Sequence, residues 1–475
     1  MADLEPRAGY RIEKDSFGPM YIPDNVYYGV QTVRALQNFQ ISGLKPHPYF
    51  VWSVATIKHA AAQANWELGM LDEERAKAIM QAAEEIRNGK FADQFVVDPY
   101  QAGAGTSHHM NVNEVIANRA LELLGHAKGD ESFLSPNNHV NFGQSTNDVI
   151  PTAIRLGGLR GANALLSPLK MLEDELTAKS KWFDHIVKSA RTHLQDAVPI
   201  RLGQEFGGMA RSVQKCRTRV EHAMTAMYEI GLGGSAAGTG LNTHPEYRHC
   251  VAEKLTELTG YPLTPAQDFF EAMSSMAPAV ELSNACRAAA VEIGRISNDL
   301  RLLSSGPTTG IAEIRLPELQ PGSSIMPGKV NPVIPEMVNM VCYQVMGFDN
   351  TVVLASAAGQ FQLNVMMPVI ALNLFWELTI LRTATRHLAE KCVRGITADE
   401  QRCRNYLERN AQVATALNPV IGYLKAAEVV KEWGKTGRSI RAIVLEKHFL
   451  SEEEVDRILS PDAIRAMTEP GVARK

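Results

Sequence analysis

The chain has 475 residues, of which 45% are hydrophobic and 21% are charged, and its formal net charge is −4. This composition is typical of a soluble globular protein, and the length exceeds that of a usual single core, so two or three domains are expected. No dense run of Lys or Arg occurs, which argues against nucleic acid and anionic membrane as partners. No stretch of about 18 apolar residues occurs either, which excludes a membrane-spanning helix.

The six cysteines are scattered through helical stretches, and no two form a C-x-x-C pair. We therefore expect free, buried thiols rather than disulfides or metal ligands. The N-terminal residues MADLEPRAGYRIEKD lack the apolar core of a signal peptide. The expected location is therefore the cytoplasm.

Residues 1–47 are predicted to form an irregular, turn-rich arm, and helices dominate after it. The first two are predicted over 50–68 and 72–87, with Asp72 as the N-cap of the second, and a third is predicted over 110–124. Helices of about 25–35 residues exceed the mean of about 11–12. Wide apolar faces on such helices need partners on more than one side, which predicts a bundle that continues across subunits. The long helical patterns cover 147–183, 203–230, 273–304, 334–357 and 368–393.

From about Gly395 the helical patterns become shorter and more polar, and Ser451 with Glu454 has the spacing of a capping box. We predict three domains: a mostly helical one over 1–145, a long-helix bundle over 146–394 and a small helical one over 395–475. Strand signals are few, with a short hairpin predicted near 197–200. The apolar face of the pattern over 273–304 recurs at spacings of three and four, at Ala289, Ile293, Ile296, Leu300 and Leu303.

Four polar, turn-like segments interrupt the helices. The first two precede helices, where backbone N–H groups attract anions, but simple helix capping explains them equally well. In the third, His193 is either a structural histidine or one wall of a polar pocket. The fourth contains two Gly and two Pro and cannot continue a helix, so it is interpreted as a mobile loop with a proton acceptor and an anion clamp. The segments are GAGTS (103–107), QSTND (144–148), RTHLQD (191–196) and GSSIMPGKVNP (322–332).

Hydroxyls, amides and a cation without a carboxylate cluster suit an anionic substrate. No metal-ligand spacing is present, because the adjacent His108 and His109 point away from each other on a helix. The nucleotide-binding pattern G-x-x-x-x-G-K-[ST] does not occur either. We therefore expect no metal site and no cofactor.

The segment GSSIMPGKVNP resembles the signature of the aspartase/fumarase superfamily. GAGTS, QSTND, RTHLQDAVP, GTGLN and DLRLLSSGP occur in that family's order and at its spacing. The resemblance implies a mainly α, three-domain fold and a homotetramer around a twenty-helix core, with each active site shared by three subunits. It also implies a small dicarboxylate substrate and cleavage of a C–N or C–O bond to release fumarate.

Several motifs distinguish the branches of this family. QSTND, LRLLSSGP, QLNVM and the VIPE after the signature resemble the aspartate ammonia-lyase branch, which converts L-aspartate to fumarate and ammonia. GTGLNTHPEY and Gly328 are more similar to class II fumarases, which interconvert fumarate and L-malate, so this alternative stays open. A catalytically silent structural protein is a remoter alternative, because a scaffold has no use for the polar residues of these segments.

The chain departs from the family at two positions. His109 stands where the family usually has Asn, and Met367 stands where close relatives in the ammonia-lyase branch have an acidic residue. Because histidine titrates near neutral pH, His109 is expected to alter the substrate scope or the pH dependence.

The resemblance also implies the roles of individual residues. The catalytic residues are Ser323, a base that acts as an alkoxide, and His193. Gly322 and Gly328 are expected to be hinges of the loop that carries Ser323. The carboxylate that becomes an enediolate is bound by Thr106, Ser145, Thr146 and Ser324, the other carboxylate by Lys329 and Asn331, and the leaving amino group faces Asn147, Thr192 and His193.

Overall fold

The structure, a computed structural model, describes residues 5–469. The fold is mainly helical, as predicted. The helices are α1 (Val30–Asn38), α2 (Pro48–Glu67), α3 (Glu73–Arg87), α4 (Thr106–Leu123), α5 (Thr146–Trp182), α6 (Leu202–Thr225), α7 (Tyr247–Thr259), α8 (Phe269–Ser274), α9 (Ala277–Leu303), α10 (Val333–Ser356), α11 (Met367–Lys391), α12 (Glu400–Arg409), α13 (Asn418–Ile421), α14 (Tyr423–Thr436), α15 (Ile440–Glu446), α16 (Glu452–Leu459) and α17 (Pro461–Met467).

Strands occur only in pairs within the described residues. Three pairs are antiparallel, and the pair formed by β5 and β6 is parallel. The strands are β1 (Tyr10–Asp15) and β2 (Gly18–Pro23), β3 (Val187–Thr192) and β4 (Gln195–Arg201), β5 (Glu229–Ile230) and β6 (Thr264–Pro265), and β7 (Ile314–Arg315) and β8 (Thr397–Ala398).

The long helices agree closely with the apolar spacing of the sequence. α5, α10 and α11 begin and end within about two residues of the predicted bounds, whereas α6 already ends at Thr225. The pattern over 273–304 is divided between α8 and α9, because the Ser275 hydroxyl accepts a hydrogen bond from Ala277 N and Pro278 favours a new helix start. All five apolar residues predicted to form one face of α9 are buried.

Two predicted helix caps are confirmed. The Asp72 side chain accepts a hydrogen bond from Arg75 N at the start of α3. Ser451 and Glu454 form a reciprocal capping box at the start of α16. These caps agree with prediction because the signal is local and involves only three or four consecutive residues.

The prediction of an irregular arm over 1–47 is wrong for the described residues, and 1–4 lie outside them. This segment contains the β1–β2 hairpin and α1, which long-range contacts hold in place. Arg34 donates two hydrogen bonds to the Asp15 carboxylate, at 2.7 and 2.8 Å. The buried Glu114 of α4 accepts hydrogen bonds from the backbone N–H groups of Gly29 and Gln31. The predicted hairpin near 197–200 is also longer, since β4 pairs with β3.

Packing divides the chain into two compact units that alternate along the sequence. The first contains the described residues up to 167, then 216–290 and 342–382, and the second contains 168–215, 291–341 and those from 383 onward. In the first unit α2 packs on α3 and α7. In the second unit the C-terminal helices bury a cluster that includes Leu417, Val444 and Val455. The three-domain division with boundaries at 145 and 394 stays a prediction.

Within residues 5–469, no helix is long and apolar enough to cross a membrane. All six cysteines are free, and five of them are buried, as predicted.

Gly157 of α5 occupies a position with no room for a side chain. An added Cβ would lie 2.5 Å from Cζ of Phe375. That ring is fully buried against the rings of Tyr49 and Phe50, so it cannot move aside easily. Gly208 of α6 is the opposite case, because it is exposed and an added Cβ would have nothing within 4 Å.

We therefore expect Gly157→Ala to lower the free energy of unfolding by about 1–3 kcal/mol through overpacking. Gly208→Ala is expected to raise it by up to about 1 kcal/mol, because Ala loses less conformational freedom than Gly in a helix. Thermal unfolding of both variants beside the unsubstituted protein measures the difference. Equal melting temperatures for the two variants would contradict this account of the core.

Candidate active site

The predicted site residues fall into two groups, one in each compact unit. Thr106 is the first residue of α4 and Thr146 the first residue of α5, and both belong to the first unit with Ser145 and Asn147. The second unit contains the turn between β3 and β4 and the segment 322–331. The predicted site residues of the second unit are Thr192, His193, Ser323, Ser324, Lys329 and Asn331.

The start of α4 has a glycine as its N-cap residue, and the Gln101 side chain instead accepts the hydrogen bond of His108 N, at 2.6 Å. A short 3₁₀ turn over Gly103–Gly105 leads into it, with Gly105 in the left-handed region at φ 89°. Gly105 is the N-cap residue and Thr106 is exposed, so the Thr106 hydroxyl is not used as a cap. Simple capping therefore does not explain this threonine. The end of the helix and the hydroxyl together are suited to an anion.

The start of α5 is capped, as the simpler interpretation of QSTND proposed. Ser145 Oγ accepts a hydrogen bond from Asn147 N at 3.2 Å, and Asp148 Oδ1 accepts one from Ser145 N at 2.9 Å. The fully buried Asp148 also accepts hydrogen bonds from Gly233 N and Ser235 N through its other oxygen, both at 3.0 Å. These bonds hold the QSTN segment in one orientation.

His109 and Lys58 lie next to this helix start. His109 Nδ1 is 2.9 Å from Thr146 Oγ1, and the buried Lys58 donates hydrogen bonds to Asn141 Oδ1 at 2.7 Å and Gln144 Oε1 at 2.9 Å. Burial, with the charge of Lys58, lowers the pKa of His109 well below its ordinary value. The imidazole is therefore neutral. The expectation that His109 titrates near neutral pH is wrong, because the sequence does not show how fully the ring is buried.

In the second unit, Thr192 and His193 lie at the tip of a tight hairpin. Thr192 pairs with Gln195, so His193 and Leu194 form a two-residue turn, and both have positive φ, at 56° and 58°. This is the type I′ geometry, which Asn and Gly usually supply. Backbone strain of about 1–3 kcal/mol per residue persists where the surrounding structure enforces it. Both side chains are exposed, so His193 projects from the protein rather than filling a core.

A buried ion cluster holds the base of this hairpin. Glu313, which directly precedes β7, has no exposed surface and accepts hydrogen bonds from Arg191 through both carboxylate oxygens, each at 2.9 Å. Lys188 Nζ lies 2.7 Å from Glu313 and 2.7 Å from Glu205. Arg191 directly precedes Thr192 in the sequence. The cluster therefore fixes the strand from which the hairpin tip extends.

The segment 322–331 is a loop closed at its base. Gly322 N donates a hydrogen bond to Lys329 O, and Asn331 Nδ2 donates one to Gly322 O, both at 2.7 Å. An added Cβ at Gly322 would meet two backbone atoms at 2.8 Å, so this glycine permits a close approach. Of the two predicted hinges, Gly328 has the open surroundings and the positive φ expected of a hinge, whereas Gly322 has neither.

Within this loop, Ser323 Oγ accepts hydrogen bonds from two backbone N–H groups, those of Ile325 at 3.2 Å and Met326 at 2.9 Å. Donors of this kind favour the ionised form of an oxygen. Ser324 and Lys329 are exposed, and Ile325 exposes 83% of its surface. Among the described residues, no hydrogen bond joins this loop to the hairpin tip.

Sequence reasoning missed Lys58, Asp148, Lys188 and Glu313. A signal existed for Lys58, which lies four residues after Val54 and three before Ala61, on the buried face of α2. A charged residue in that position is rarely buried without a role. The other three have partners or environments that no local pattern shows. No group of three or more side chains suited to a metal ion occurs in the part of the chain that the structure describes.

Comparison with known proteins identifies the family of the chain. A family profile described as "Lyase" matches residues 18–347, and one described as "Fumarase C C-terminus" matches residues 413–466. The chain is 47% identical to the aspartate ammonia-lyase of Bacillus subtilis (strain 168) over 472 residues, which is 99% of each protein. The chain belongs to the aspartase/fumarase superfamily. It is also 49% identical to the aspartate ammonia-lyase of Helicobacter pylori, over 95% of this chain and 97% of that relative.

Solved structures of this superfamily have the same fold. A Brucella melitensis protein described as fumarate lyase:delta crystallin, bound to cobalt, superimposes with a TM-score of 0.93 at 44% identity, over 97% of this chain and 100% of that one. A class II fumarase from Schistosoma mansoni also gives 0.93, at 36% identity and the same coverage. The predicted fold class is thereby confirmed.

The Glu313 cluster yields a prediction for the hairpin. Glu313→Gln leaves the buried Lys188 and the partly buried Arg191 with one fewer anion, and breaking a buried pair costs about 3–5 kcal/mol. We expect a lower melting temperature and weaker activity, because the strand before Thr192 is no longer fixed. Glu205→Gln is the matched control, since Glu205 is partly exposed and Lys188 keeps Glu313. Equal losses of melting temperature and activity in the two variants would show that Glu313 fixes the hairpin no more than Glu205 does.

Proposed function

We propose that this protein catalyses the reversible deamination of L-aspartate to fumarate and ammonia. Its 47–49% identity to aspartate ammonia-lyases over nearly the full length supports this reaction, and so does the Escherichia coli relative, at 47% over 95% of both proteins. The chain is less similar to the class II fumarase, at 36% identity. It is therefore a carbon–nitrogen lyase, and fumarate hydration is the less favoured alternative.

One observation carries the chemistry: the Ser323 oxygen accepts two backbone N–H groups. A serine hydroxyl is too weak an acid to act as a base unless its oxyanion is stabilised. A preorganised donor aimed at a developing oxyanion contributes about 3 kcal/mol. In our proposal the Ser323 alkoxide removes a proton from the carbon next to one carboxylate of aspartate, and that carboxylate becomes an enediolate. The C–N bond then breaks, the electron pair of the enediolate forms the double bond, and the protonated amino group leaves as ammonia.

The enediolate carries two negative charges on one group, which requires several donors nearby. We assign this role to Thr106, Thr146, Ser145 and Ser324. Support comes from the exposed Thr106 at the start of α4 and from the half-buried Thr146 at the start of α5. Ser145 also caps α5, because its Oγ accepts a hydrogen bond from Asn147 N.

The second carboxylate is assigned to Lys329 and Asn331. Lys329 is exposed on the loop, as an anion clamp requires. One hydrogen of the Asn331 amide is directed to Gly322 O, and the amide has a second hydrogen for a ligand. For the leaving amino group we assign Thr192, His193 and Asn147. Asn147 is oriented by its hydrogen bond to Ala236 O at 2.8 Å.

We further propose that the active enzyme is a homotetramer with a twenty-helix core, in which three subunits complete each active site. A site closed to water strengthens the electrostatic contacts that stabilise an enediolate. In the single chain, however, Thr106, His193 and the tip of the Ser323 loop are exposed. α10 also exposes apolar side chains, with Met340 at 69% and Leu354 at 64%, as expected of a helix that packs against another chain. The free thiols support a location in the cytoplasm.

The proposed reaction predicts a dependence on ammonium. Purified protein is mixed with fumarate, with and without ammonium, and the ultraviolet absorbance of the conjugated double bond is followed. We expect absorbance to fall only when ammonium is present, with L-aspartate as the product. Loss of absorbance in water alone, with formation of malate, would replace this function by fumarate hydration.

The proposed base predicts a second result. Ser323→Ala should lower kcat by about 100- to 10,000-fold, the usual contribution of a positioned base, while fumarate still binds. Ser324→Ala is the neighbouring comparison, and because Ser324 is one of several donors to the enediolate, we expect it to lower kcat by less than Ser323→Ala does. Steady-state kinetics and fumarate titration of both variants make the test. A Ser323→Ala enzyme with normal turnover would rule out the assignment.

A further inference from the structure

His109 has one ring nitrogen in use and one unused. Its side chain lies on the first turn of α4 and is 1% exposed. Nδ1 is 2.9 Å from Thr146 Oγ1, whereas Nε2 has no hydrogen-bond partner among the described residues. The contact connects the start of α4 to the start of α5, the two helix ends assigned above to one carboxylate.

The surroundings keep this ring neutral. Lys58 faces it from α2 with an amino group directed to Asn141 and Gln144, and His108 adjoins it on α4. Burial and the charge of Lys58 oppose a second proton on the ring and outweigh the Asn141 side chain, which favours one, so the pKa of His109 is well below its ordinary value. A neutral imidazole has one N–H group and one lone pair.

The unused nitrogen indicates where the single proton is. A buried N–H without an acceptor is rarer and costs more than a buried acceptor with a free lone pair. Nε2 is the atom without a partner, so it holds the lone pair and Nδ1 holds the proton. Nδ1–H therefore donates its hydrogen bond to Thr146 Oγ1. The hydroxyl of Thr146 then keeps its own proton for another acceptor.

We propose that His109 is a positioning residue that, as the Nδ1–H tautomer, directs the Thr146 hydroxyl proton towards the substrate carboxylate. The inference rests on the proposed function, and it identifies a determinant of dicarboxylate binding in that site. With the opposite tautomer, Thr146 would donate to the imidazole and present only lone pairs, which repel a carboxylate.

The test is a double-mutant cycle in L-aspartate deamination. His109→Phe removes the donor and keeps a buried ring, while Thr146→Val removes the hydroxyl. Each is expected to lower kcat/KM by about 10- to 100-fold, the range for one hydrogen bond to a charged group. The double variant should be no worse than Thr146→Val alone, because His109 acts only through that hydroxyl. His109→Asn should restore part of the loss, since its amide can donate from nearly the same place.

His108→Phe is the matched control. His108 is the adjacent residue, is equally buried and stacks on Phe50 with 4.3 Å between ring centroids, yet neither of its nitrogens has a partner. A phenyl ring keeps that stacking. We expect kinetics equal to those of the unsubstituted protein.

Nitrogen NMR of ¹⁵N-histidine-labelled protein, assigned with the His109 variants, gives a measurement that does not depend on activity. An Nδ1–H signal at pH 7 together with a non-additive cycle supports the inference. An Nε2–H or doubly protonated ring, additive losses, or normal kinetics in His109→Phe would overturn it. If the unsubstituted protein does not deaminate L-aspartate at all, the proposed function fails and this role fails with it. The Nδ1–H signal would then report only a structural hydrogen bond.

Discussion

The two backbone N–H groups that point at Ser323 Oγ are the interaction on which the proposed chemistry depends. A hydroxyl becomes a base only where its oxyanion is more stable than in water, and fixed dipoles achieve this without reorganising during the reaction. The loop sequence makes the arrangement possible. Gly322 lets the two ends of the loop approach closely, so the chain turns back within a few residues and presents consecutive amides to one oxygen.

Exposed reactive groups in this protein are supported by charged groups that water does not reach. Asp148 beneath the start of α5 accepts three backbone hydrogen bonds, and Glu313 beneath the hairpin binds two cations. Buried charges add little net stability when they are paired, but they fix geometry, because any alternative arrangement leaves a charge unpaired. The Glu313 ion pairs allow the strained turn at His193 and Leu194 to persist.

The sequence predicts well what depends on neighbours a few residues apart. The apolar spacing of α9 and the caps at Asp72 and Ser451 need no knowledge of tertiary contacts, and the polar segments that interrupt the helices do lie at helix starts, a hairpin tip and a loop. It predicts poorly what depends on distant partners. The charged residues of β1 obscure the apolar alternation by which a strand is recognised. Glu313 binds Arg191, which lies 122 positions away in the sequence. The pKa of His109 follows from burial, which a single sequence does not display.

The closed base of the Ser323 loop limits how it can move. Hydrogen bonds join Gly322 to Lys329 and to Asn331, so the residues between them form a small ring of chain that keeps its own shape. Such a closed loop is expected to move as one rigid unit. Ser323 Oγ and the two backbone N–H groups that face it would therefore already be in position when a ligand binds. The entropy cost of ordering these three groups is met once, during folding, and not again at each turnover.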